Sequence, residues 1–132
     1  MVIGEDGWPV RSSVEAAWRE VIAGERTRES VHDWSVPWVE GEAAHVRPND
    51  LAAANGLQYL HGLDMKAKPE TPNLVHHDGS GSYVLSADEV AARLDEWLGL
   101  CREYDEDPER FVHRRRELAR QRIAEERGRR RS

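Results

Sequence analysis

The stretch SADEVAARLDEWLGLCREYDED, residues 86–107, constrains the fold more than any other. Ser86 stands where a helix N-cap is wanted. Glu89, three residues on, completes a capping box, which satisfies backbone N–H groups that a helix start leaves open. Val90, Leu94, Trp97, Leu98 and Cys101 then recur at helical spacing, and Tyr104 extends the line. An apolar stripe on an otherwise charged helix has to be covered by other elements.

The rest of the chain supplies such elements. In SSVEAAWREVIAG, Ser12 caps, Glu15 completes a second box and Gly24 ends the helix. Val14, Ala17, Trp18, Val21 and Ile22 share one face. In TRESVHDWSVPWVEG, Thr27 caps, Glu29 favours the first turn and Gly41 stops the run. Its stripe is Val31, Trp34 and Trp38, with Val39 beside it. Pro37 lacks an N–H and crowds the carbonyl of Asp33, at a cost of roughly 3 kcal/mol inside a helix. Burial of both indoles would offset that cost. Trp18, Trp34, Trp38 and Trp97 are therefore expected to share one core, with Trp8 unassigned. After a loop over 41–48, Asn49 or Asp50 caps LAAANGLQYLHG, where Leu51, Ala54, Leu57 and Leu60 keep the spacing. Asn55-Gly56 weakens that helix and Gly62 ends it.

Residues 62–82 are irregular, with Pro69 and Pro72. NLVHH and SYVLS flank DGSG and are expected to pair as a hairpin. Asp107-Pro108 restarts a helix with cap and first-turn proline in order. Its apolar residues, Phe111, Leu118 and Ile123, are sparse. These patterns predict a mainly α fold: a compact bundle of four to five helices with a short β-hairpin near 73–86. The expected organisation is a flexible leader over 1–11, a helical domain over 12–106, and a charged, Arg-rich C-terminal helix and tail over 107–132.

Charge is distributed unevenly. Residues 110–132 hold ten arginines against three glutamates, a net +7, whereas residues 1–109 hold 9 basic and 22 acidic groups, a net −13. Such asymmetry speaks to partners rather than to fold. A single cysteine excludes an internal disulfide and points to a reducing compartment. The first residues lack a basic segment followed by an apolar run, and no stretch approaches a membrane span, so the expected setting is cytoplasmic.

Chemistry is harder to locate. VHHDG places His76, His77 and Asp78 together, but adjacent histidines in a strand point to opposite faces. His32 and His61 could converge in space, yet their spacing does not require it. No HExxH, CxxC, GxSxG or P-loop pattern occurs. Cys101 lies on an apolar stripe and reads as structural. No catalytic, cofactor-binding or metal-ligating residue is assigned from sequence, and no cofactor is expected.

The segments TRESVHDW and PWVE, then YLHGLD, then YVLSADEV and LDEW, resemble a family of small helical proteins of high-GC bacteria. They also resemble the general type of cytoplasmic immunity protein encoded beside secreted toxins. The likeness spans about residues 12–104, and its positions are mainly apolar and capping residues, so no site residue is carried over. The Arg-rich tail is outside the pattern. Together with the acidic body, the resemblance implies a non-enzymatic protein-binding module, an immunity-type inhibitor of a basic toxin, with a basic protein as partner and no membrane contact. The alternatives are a nucleic-acid-associated accessory protein acting through the C-terminal helix, and a small metal-dependent enzyme.

Overall fold

A computed structural model of the chain describes residues 2–77 and 79–131, apart from the side chain of Arg131. Its helices are α1 (Arg11–Ile22), α2 (Arg28–Val39), α3 (Leu51–His61), α4 (Ala87–Glu106) and α5 (Pro108–Arg131). Between α3 and α4 run β1 (Lys66–Lys68), β2 (Thr71–His76) and β3 (Ser82–Tyr83). The chain is thus mainly α with a small antiparallel sheet, as the sequence predicts. Contacts divide it into two units, Met1–Leu98 and Gly99–Ser132, with the division inside α4. Among the described residues, no helix is long and apolar enough to cross a membrane.

Most helix starts follow the sequence. Thr27 accepts from the Ser30 N–H at 3.1 Å, Asp50 from Ala52 at 3.1 Å and Asp107 from Arg110 at 3.1 Å. Ser86 and Glu89 form the reciprocal box, at 3.0 and 3.1 Å. The exception is α1, whose N-cap is Val10 with no side-chain cap. The box expected from Ser12 and Glu15 does not form. Instead the Ser13 hydroxyl accepts from the Val2 N–H and donates to the Val2 carbonyl, both at 2.9 Å. This ties the expected leader down. Ile3 bridges Pro9, Trp8 is buried, and its indole N–H donates to the Val46 carbonyl at 2.8 Å.

The core of the first unit is built on α3. Its buried residues are Ala52, Ala53, Asn55, Gly56, Leu57 and Leu60, a wider surface than the expected stripe. Trp18 and Trp97 stack with centroids 5.7 Å apart, and Tyr59 lies 5.5 Å from Trp18. Both buried indoles are satisfied: Trp18 donates to the Val90 carbonyl at 3.0 Å and Trp97 to the Ala52 carbonyl at 2.8 Å. Gly56 makes this packing possible, because a Cβ there would lie 2.6 Å from the Trp97 ring. A residue that weakens the helix locally thus admits the largest side chain of the core.

Two expectations are corrected. Trp34 and Trp38 do not join that core; they are half-buried and meet each other edge-on at 5.8 Å. Arg26 lies over the Trp34 ring and Trp38 donates to the Gly7 carbonyl at 2.9 Å. The inward residues of α2 are Val31 and Ser35. The helix runs through Pro37 to its C-cap at Glu40. The second correction concerns the hairpin: the sheet order is β2-β1-β3, so the two predicted strands flank Lys66–Lys68 instead of pairing with each other. Lys66 is in register with both His76 and Tyr83. A charged three-residue strand carries no alternating apolar signal, which is why the sequence did not reveal it.

In the second unit, Cys101 and Phe111 are buried and Tyr104 meets Phe111 edge-on at 5.4 Å. From His113 to Arg130, α5 is exposed throughout.

Candidate metal centre

Three histidines far apart in sequence come together in the first unit. His32 follows the buried Val31 on α2, His61 is the last residue of α3, and His77 lies just beyond β2. Their ring centroids are 4.2 Å (His32–His77), 4.3 Å (His32–His61) and 4.8 Å (His61–His77) apart. One ring nitrogen from each lies within 4.8 Å of the others. Four-coordinate zinc, with bonds of about 2.0–2.1 Å, needs ligand nitrogens about 3.4 Å apart, so the rings would close by up to about 1.4 Å to hold it.

The protons on these rings follow from their partners. His32 Nδ1 is 2.8 Å from the His61 carbonyl, which can only accept, so Nδ1 carries the hydrogen. That carbonyl is among those a helix C-terminus leaves open, and the contact satisfies it. His77 Nδ1 donates to the Asp64 carboxylate at 2.6 Å. The same Asp64 oxygen lies 3.4 Å from His32 Nδ1. In the neutral rings, Nε2 of His32 and of His77 therefore holds the lone pair, and neither has a partner among the described residues. This tautomer leaves Nε2 open to a metal, with the rings held by a carboxylate and a backbone carbonyl.

Asp64 is only 2 % exposed. A buried carboxylate without compensation is costly, and here imidazole N–H groups face it. Sequence reasoning missed this residue. The available signal was its setting: an aspartate among Leu60, Leu63 and Met65, three positions after His61.

Glu40 forms the rim. Its carboxylate accepts from His61 Nε2, and the side chain is 54 % exposed. The His61 hydrogen bond holds the Glu40 carboxyl below the usual carboxylate range, and the charges of His61, His32 and His77 reinforce this against the effect of desolvation. While Glu40 keeps the His61 Nε2–H, the lone pair of that ring is on Nδ1.

Compared with protein-family models, curated proteins and solved structures, the chain matches none. The chemistry is therefore read from the residues alone.

Of the sequence candidates, His32, His61 and His77 converge, and His76 is not among the three. Asp78 lies outside the described residues. Beside the site, Arg28 donates to the Leu63 and Leu85 carbonyls at 3.3 and 2.6 Å, fixing the segment that carries Asp64. Arg28 also lies 4.1 Å over the Tyr83 ring, whose hydroxyl donates to Glu29 at 2.5 Å. That bond is the main influence lowering the Glu29 carboxyl and raising the Tyr83 phenol.

Proposed function

We propose that this chain holds a divalent transition-metal ion of the zinc class through His32, His61 and His77, and acts as a small metal-dependent hydrolytic enzyme. The observation that carries the reading is the three-histidine set with a buried carboxylate behind two of its rings. Imidazole suits zinc, copper, iron and nickel. Three protein ligands with a fourth position left to water or substrate is the count of a catalytic rather than a structural zinc site. An ion held there would polarise a carbonyl or phosphoryl oxygen and acidify a bound water. Glu40, an exposed carboxylate at the rim, is the candidate proton acceptor.

The test is metal analysis of untagged protein, with hydrolysis of a chromogenic ester and a chromogenic phosphodiester followed through chelation and metal return. The reading expects about one equivalent of metal, and a turnover that chelation removes and the ion restores. Metal-free protein that takes up no ion contradicts it.

The acidic residues support a second reading. The net −13 over residues 1–109 suits capture of a basic protein partner, because opposite charge steers association. An immunity-type role requires tight, salt-sensitive binding to the product of a neighbouring toxin gene; absence of that complex would remove it.

A further inference from the structure

The arginines of α5 take no part in the metal centre, and we propose that this helix is a docking element for the phosphate backbone of duplex nucleic acid. The helix has 24 residues, about 36 Å at 1.5 Å per residue. That is about one turn of a DNA duplex. Arg114 pairs with Glu103 at 3.2 Å, and Arg115 lies over the Phe111 ring. The side chains of Arg110, Arg116, Arg120, Arg122, Arg127 and Arg130 have no ion-pair or hydrogen-bond partner among the described residues. An internal acidic partner therefore does not account for this charge within the unit.

The kind of polyanion follows from the arrangement. At about 100° per residue, Arg116, Arg120, Arg122, Arg127 and Arg130 fall within one arc of about 160°, and Arg110 lies outside it. A flat anionic surface would meet only the part of that arc nearest to it. A duplex groove offers phosphates on both walls, and the major groove admits an α-helix. Every basic residue from 110 onward is arginine apart from His113, and guanidinium suits phosphate recognition better than ammonium. No aromatic residue follows Phe111, so a platform for stacking unpaired bases is missing. The chemistry is that of backbone contact without sequence reading.

The experiment is fluorescence anisotropy of the full chain with a labelled 20-base-pair duplex across a salt series. Six neutralised phosphates predict a slope of about −5 in log affinity against log salt, and a loss of about 10³-fold between 50 and 200 mM. Replacing Arg116, Arg120 and Arg122 with Gln should reduce the slope by about 3, whereas their replacement with Lys should preserve it. Replacing Arg19 and Arg93 with Gln, a loss of two charges away from α5, should leave binding unchanged. No binding at 50 mM salt, or a slope indifferent to the triple Gln variant, would overturn the proposal. Binding confined to vesicles of anionic lipid would overturn it too, by assigning the helix to a membrane surface.

Discussion

At the scale of single residues, two positions decide how the first unit is built and what it can hold. Gly56 lies where any Cβ meets the Trp97 ring at 2.6 Å. Gly56→Ala improves helix propensity yet should destabilise the protein by about 1–3 kcal/mol, because the stacked indoles have to shift. Chemical denaturation measures this, and a stabilised variant would contradict the packing described. Asp64 is the second position. Asp64→Asn keeps the size of the side chain but removes the charge that faces His77 Nδ1 and His32 Nδ1. It should weaken metal binding about 10- to 100-fold, with helix content retained by circular dichroism. Unchanged affinity would remove Asp64 from the site. Neither role was legible in the sequence. A glycine in a helix reads as a local weakness until its neighbour is known, and a lone aspartate after a helix reads as a surface residue until its burial is known.

At the scale of elements, the sequence was most legible where one short segment carries the whole signal. The caps at Thr27, Asp50, Ser86 and Asp107 depend on residues within three positions of each other, and all four form. Trp34 and Trp38 illustrate the opposite case. Their spacing marks one helix face, but which face turns inward is decided by α3, which takes Val31 and Ser35. The sheet was misread for a related reason: β1 is recognisable only by what lies on either side of it. Its environment makes a pH prediction. Tyr83 on β3 joins Glu29 on α2, with Lys66 of β1 also 3.6 Å from Glu29. The Glu29 carboxyl is lowered from 4.5, so its contribution is complete above that pH and is lost as pH falls through the folded-state value. The Tyr83 phenol is raised from 10.0, so its contribution is complete below that pH and is lost as pH rises through the folded-state value. Tyr83→Phe should therefore be less stable than the parent between these limits, with the gap narrowing at both ends. A gap that does not vary with pH in denaturation series would contradict the pairing.

At the scale of the whole molecule, charge was legible in the sequence and the metal centre was not. Net charges of −13 and +7 on two stretches need only counting. The centre needs His32, His61 and His77 to be brought from the middle of α2, the end of α3 and the turn after β2. Their separations of 29 and 16 positions have no helical or strand periodicity. Only the packing of α2 on α3, and the strand that leads back toward Asp64, makes them neighbours. An ion bound to the folded state alone also raises stability, by about 2.7 kcal/mol at a hundredfold excess over its dissociation constant. The most direct measurement is calorimetric titration of zinc into metal-free, untagged protein, beside His32→Ala, His61→Ala and His77→Ala variants whose folding is checked by circular dichroism. The account predicts one equivalent bound by the parent chain and a loss of at least tenfold in affinity in each folded variant. No saturable binding by the parent, or binding that survives removal of any of the three imidazoles undiminished, would contradict it.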